Sequence, residues 1–203
     1  TFGNAFIFKN KYMINSKSSQ RHLIAIDSTR SGTHGAKRFI KTILIGLLNY
    51  TKLNIVVFAS CDSFNSFEDN RLKIIHLKSR RGTIMGIINT CFTIPILARL
   101  RHAKFLYSPW DIGPLIKPIP YVLGIHSSNN ISPTGYESSG TGIGTRMSWL
   151  YKFLVKISAR SAFAIEFPSN SAADLIGEDF GIDKDKRNVI YHGAELSRWK
   201  KTL

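Results

Sequence analysis

The sequence predicts an α/β fold: a single Rossmann-like, doubly wound parallel sheet with helices on both faces. Three observations predict it. Short, continuous apolar runs recur along the chain, as expected of strands buried on both sides. Between them lie longer stretches with apolar residues at helical spacing. Loops rich in Gly, Ser or Pro follow several of the runs, so strands and helices alternate, which is the pattern of a parallel sheet.

Leu23-Ile24-Ala25-Ile26, bounded by Asp27 and Ser28, is the first strand. A loop with Gly32 and Gly35 leads into a helix carrying Ile40, Ile43, Leu44, Leu47 and Leu48 behind Lys37, Arg38 and Lys41. Ile55 to Phe58 and Leu72 to Leu77 are the second and third strands. Thr83 to Leu100 is an apolar helical stretch that Pro95 should end or kink. Lys104 to Tyr107 and Tyr121 to Ile125 are two further strands, and the Ser-, Asn- and Gly-rich stretch Ser127 to Gly142 reads as a mobile loop. A helix from about Ile143 to Ser161 carries Ile143, Met147, Leu150, Leu154 and Ile157 on one face. Ala162 to Phe167 is a strand, Ser171-x-x-Asp174 has the form of a capping box opening a short helix, and Gly181 is placed to stop it. Val189 to Tyr191 is the last strand.

The length of 203 residues suits one domain with a sizeable core. Residues 1–20 read as a disordered leader, 21–193 as the folded domain and 194–203 as the start of a linker. Thr1 to Gln20 is too polar for a secretory or membrane-spanning segment. A first residue other than Met and an ending in a linker suggest a fragment. With 28 Lys and Arg against 13 Asp and Glu, the net charge is +15, a field that attracts polyanions: nucleic acid, anionic membrane or phosphorylated ligands. Cys61 and Cys91 are too few for a disulfide scaffold and are read as unpaired thiols in a cytoplasmic protein. Two glycosylation sequons, at Asn49 and Asn130, lack a secretory signal and are set aside.

The chemistry gathers after the strands. Asp27 to Gly35 forms the first strand-to-helix turn, where open α/β sheets bind ligands, and its glycines allow close backbone approach. It matches neither the dinucleotide fingerprint nor a Walker loop, so a merely tight turn is the competing reading. His126 closes the fifth strand, where it could donate to a sugar hydroxyl or phosphate or shuttle a proton. A histidine at such a position is more often structural, but Gly32, Gly35, Ser108-Pro109-Trp110 and Ser169 also follow strands and converge on the same edge. Asp183-x-Asp185 resembles a metal-binding pair but falls in a hydrophilic turn away from that edge, and no metal is assigned.

Arg71, Lys73, Lys78, Arg80, Arg81, Arg99, Arg101 and Lys104 occur with no acidic residue between them. Arg146, Trp149, Lys152, Lys156 and Arg160 share one face of the long helix, which suits a membrane headgroup region; a solvated charged face is the plain alternative.

Together these landmarks resemble glycosyltransferase family 4, whose GT-B fold pairs two Rossmann-like domains. The resemblance runs along the chain from about Arg21. It rests on Gly32-x-x-Gly35-x-x-Arg38-Phe39, Tyr107-Ser108-Pro109-Trp110, the strand ending at His126, Ile143-Gly144-Thr145-Arg146, Ser158-Ala159-Arg160, Phe167-Pro168-Ser169 with Ser171 and Asp174, and Val189-Ile190-Tyr191-His192-Gly193. It implies an N-terminal, acceptor-side half of a retaining, metal-independent enzyme that uses a nucleotide-diphosphate sugar and no other cofactor. It also implies a catalytic role for His126 and substrate-binding roles for Gly32, Gly35, Arg38, Trp110 and Ser169. An Asp commonly follows the family's histidine; here Ser127 does. The C-terminal donor-binding half has no counterpart in the 203 residues, so this chain alone is expected to be inactive. The implied partners are a glycan or lipid-linked acceptor and an anionic membrane, with the protein peripheral on its inner face. The other function class is a non-catalytic basic domain binding membrane or nucleic acid; no nucleic-acid motif is present.

Overall fold

The computed structural model describes residues 22–31, 34–60, 64–78, 84–126 and 145–191. The leader over 1–20, the glycine at 32, the whole 127–142 loop and the final corner with its linker lie outside them. Seven strands form one sheet in the order β3-β2-β1-β4-β5-β6-β7. They are β1 (Leu23–Ser28), β2 (Asn54–Ala59), β3 (Leu72–His76), β4 (Phe105–Ser108), β5 (Tyr121–Gly124), β6 (Ala164–Phe167) and β7 (Arg187–Val189). Every neighbouring pair is parallel. The class read from the sequence is therefore the class observed, and the apolar runs are strands because they are buried on both faces.

One face is covered by α1 (His34–Tyr50), whose Ile40, Leu44 and Leu47 pack on Ile26, Ile55 and Val57. The other face carries α2 (Ile84–Ile88) with α3 (Ile94–Leu100), α4 (Thr145–Ser161) and α5 (Asn170–Asp179). There Cys91, Ile94, Ala98, Val155, Ala159 and Ile176 close over Ala25, Phe58, Leu123 and Ile165. Arg71 fastens the end of α1: its guanidinium pairs with Asp69 and donates to the Leu48 and Thr51 carbonyls, each at 2.7 Å. That is the favourable place for a cation on a helix dipole.

Three local expectations are corrected. The helical run over 84–100 does not end at Pro95: a π-helical turn, Asn89–Thr93, joins α2 to α3 and puts the proline in the first turn of α3, where a missing N–H costs little. The cap of α5 is Ser169, whose hydroxyl accepts from the Ala172 N–H at 3.2 Å; Ser171 lies inside the helix. On α4 the core takes Val155, Ser158 and Ala159, while Leu150 faces outward and Leu154 and Ile157 are half-buried. Small residues let the helix sit close to Gly113 and Tyr121, with the Tyr121 hydroxyl donating to the Ser158 carbonyl at 2.5 Å. Of the stripe expected there, Leu154 does pack against the core and Leu150 does not.

Gly181 follows α5 with φ +61°, as its stop position requires. Gly177 leaves room for a hydrogen-bonded side chain. A Cβ there would overlap the Arg187 guanidinium, which donates from Nη2 to the Ile182 carbonyl at 2.6 Å and so ties α5 to β7. Gly177→Ala is expected to destabilise the domain by about 2 kcal/mol despite better helix propensity, seen as a lower urea midpoint at unchanged m.

Candidate functional site

Strand order reverses between β1 and β4, where the chain leaves β1 toward β2 and leaves β4 toward β5. Open parallel sheets take ligands outside the carboxyl ends of the strands at such a switch point. Three loops converge there, after β1 (Thr29 to Ser31), after β4 (Pro109 to Asp111) and after β5 (Ile125, His126).

The base of the site is Asp27, 1 % exposed at the end of β1. Its Oδ1 accepts from the Thr29 N–H at 2.9 Å and hydroxyl at 2.7 Å, and its Oδ2 from the Thr90 hydroxyl at 2.7 Å. Thr90 sits in the π turn, so that wider turn turns a hydroxyl inward onto a buried carboxylate. Burial pushes the Asp27 carboxyl above its ordinary pKa, against those hydrogen bonds and the charge of Arg30, which favour the anion. The Trp110 indole donates to the Asp27 carbonyl at 2.8 Å, and Arg30 donates to the Trp110 carbonyl at 3.0 Å. The β1 and β4 loops are thereby bound together.

Asp111 is the second anchor. It is buried and holds φ at +61°, the left-handed region that a non-glycine residue occupies at a cost. Its amide donates to the Gly124 carbonyl at 2.9 Å. Its Oδ1 accepts the His126 amide at 3.0 Å and its Oδ2 the Tyr151 hydroxyl at 3.0 Å. One carboxylate thus joins the β4 loop, the β5 loop and α4. Burial raises the Tyr151 hydroxyl's pKa, as does the Asp111 charge, so the phenol stays protonated and donating. The positive charge of Arg30 acts against that rise, which places Arg30 between the Asp27–Trp110 contacts and the Tyr151–Asp111 pair.

His126 is half-buried at the rim. Its ring meets the edge of Phe39 on α1 with centroids 4.8 Å apart. It also packs close to Gly124, where a Cβ would come within 2.7 Å of Nε2 and 2.9 Å of the Pro109 Cα. Glycine at 124 therefore leaves room for the ring and for the β4 loop. Below it, Tyr107 donates to buried Glu166 at 2.7 Å, and burial raises the pKa of both groups.

Of the residues expected at the site, His126 and Trp110 belong to this cluster. Gly35 and Arg38 are exposed on the first turns of α1, the helix whose Phe39 meets His126. Ser169 follows β6 at the same edge but is occupied as the cap of α5. The glycine at 32 is outside the described residues. The sequence reading passed over Arg30, Asp111, Tyr151 and Thr90. The available signals were a charged residue in the first βα turn and an acid just past a strand-end Ser-Pro-Trp. Asp183 is paired with Lys186 at 3.4 Å ahead of β7, at the opposite edge of the sheet. On α4, Trp149 is exposed, Lys152 and Lys156 are half-buried, and Arg160 donates to the Phe180 carbonyl at 2.8 Å. The backbone of Arg146 is in α4, and its side chain is outside the described residues. No helix among the described residues is long and apolar enough to cross a membrane.

No family model and no curated protein matches the sequence. Solved structures do. A glycosyltransferase from Rickettsia africae ESF-5 superposes at TM-score 0.52 and 11 % identity, over 90 % of this chain and 46 % of that one. UGT73P12 of Glycyrrhiza uralensis, complexed with glycyrrhetinic acid 3-O-monoglucuronide, gives 0.51 and 13 %, over 91 % and 51 %. Apo UGT2 of Phytolacca americana gives 0.53 and 12 %, over 89 % and 55 %. At such identities the likeness is one of fold: a single parallel sheet consistent with one Rossmann-like half of a GT-B architecture. The chain spans about half the length of these proteins.

Proposed function

We propose that this domain is the acceptor-side half of a retaining, metal-independent glycosyltransferase that moves a sugar from a nucleotide-diphosphate donor to a glycan or lipid-linked acceptor. Family 4 is the reading the landmark motifs favour. The observation that carries it is the cluster at the switch point, where Asp111 holds the backbone of His126 and the hydroxyl of Tyr151 while Arg30 braces the neighbouring loop. A half-buried imidazole fixed at the mouth of a parallel sheet can donate to a sugar hydroxyl or relay its proton. Arg30 adds positive charge near where an anionic donor would lie. The donor itself belongs to a second Rossmann-like half, so the 203 residues form one wall of the cleft. The acceptor reaches that wall from an anionic membrane on whose inner face the protein rests, with the outer surface of α4 toward the headgroups.

His126→Ala tests the site. In a chain that carries both halves, turnover is expected to fall about 100-fold with little change in urea midpoint, since the ring packs at the rim and not in the core. Parental turnover in that variant removes His126 from the mechanism.

A further inference from the structure

The helical run 84–100 presents large apolar side chains to solvent. Ile84 (71 % exposed), Met85 (54 %), Ile88 (41 %), Phe92 (42 %), Ile96 (45 %) and Leu100 (69 %) recur almost every fourth residue. In an unbroken α-helix a spacing of four drifts steadily round the axis. The π turn over 89–93 is wider and offsets part of that drift, keeping the residues on one stripe about 25 Å long. The same turn points Asn89, Thr90 and Cys91 into the fold, so the inward contact and the outward stripe have one cause.

We infer that this stripe is a bilayer-docking surface that seats the domain in the interfacial region of an anionic membrane. The inference deepens the membrane part of the proposed function and rests on it for the choice of surface. Charge selects the occupant. No acidic residue occurs between Asp69 and Asp111, and Lys78, Arg99, Arg101 and Lys104 flank the stripe, all exposed. Apolar residues edged by Lys and Arg suit the headgroup–acyl boundary. A second copy of a chain with net charge +15 would bring like charges together at the same surface. α4 packs on the same face of the sheet and also exposes Trp149, Leu150 and Phe153. The run is too short and interrupted to span a bilayer, so it lies in the plane of the interface.

The test is flotation of the 203-residue chain with phosphatidylcholine vesicles containing about one quarter phosphatidylglycerol, at low salt and at about 1 M salt, where charge contacts are screened within about 3 Å. A fraction of the parent should stay bound in high salt, held by apolar burial. In Ile88→Ser/Phe92→Ser/Ile96→Ser that fraction should fall at least about tenfold. Ile84→Ser/Leu100→Ser, at the exposed ends of the stripe, should weaken it in the same direction, and helical circular dichroism should be retained in both. Complete release of the parent by salt, or parental high-salt binding in both folded variants, overturns the inference. So does a parent dimer that the stripe variants dissociate, or tighter binding to duplex DNA than to vesicles. Lys152→Glu/Lys156→Glu separates the two membrane statements. If it binds like the parent while the stripe variants do not, the α4 reading fails and the stripe stands; if only it loses binding, the stripe fails.

Discussion

Asp27→Ala is expected to destabilise the domain by about 3 kcal/mol, the largest loss from any single polar substitution at the site. The carboxylate takes the Thr29 amide and hydroxyl and the Thr90 hydroxyl inside the fold, and alanine leaves them without an acceptor. Asp27→Asn keeps an acceptor oxygen for these groups and should cost about 1 kcal/mol. The pH dependence has a definite sign. Burial raises the folded-state pKa, so the unfolded chain gives up the proton first. Stability therefore falls as pH rises from the ordinary carboxylate value toward the folded one, and Asp27→Asn should flatten that slope. Urea unfolding of the three proteins across the acidic range measures both effects.

Asp111→Ala is expected to cut turnover about 100-fold in a chain carrying both halves, with a smaller loss of stability of about 2 kcal/mol. Its carboxylate fixes the His126 backbone and the Tyr151 hydroxyl together, and its left-handed backbone sets the corner after β4. Without it the imidazole keeps its contact with Phe39 but loses the register of its strand end. Asn tolerates positive φ and retains one acceptor, so Asp111→Asn should recover much of the stability and part of the rate. Tyr151→Phe removes one arm only and should fall between Asp111→Asn and the parent. Equal rates for Asp111→Ala and the parent would reduce Asp111 to a structural corner.

The sheet was legible because buried parallel strands write themselves as continuous apolar runs, and Leu23 to Ile26, Ile55 to Phe58 and Tyr121 to Ile125 do so. The position of His126 at the carboxyl edge followed from the same pattern. The site's wiring was not legible. Asp111 meets Tyr151 40 residues on, and Arg30 meets Trp110 across 80, contacts that no local spacing encodes. The π turn hid for a different reason: Pro95 reads as a helix breaker, and the bond from Thr90 to buried Asp27, 63 residues away, that accompanies the wider turn has no local signal. On α4 the outward aromatic residues and the inward Ser158 and Ala159 reverse what residue size suggests, because close helix–sheet approach favours small side chains there.

The proposed function meets its most direct test in release of nucleoside diphosphate from a panel of nucleotide-diphosphate sugars, followed by the anomeric configuration of the glycoside formed. A chain carrying this domain and a second, donor-binding half should release diphosphate from at least one donor, without added metal and with the donor's configuration retained, while the 203 residues alone release none. Release by the 203 residues alone, or a product of inverted configuration, would contradict it.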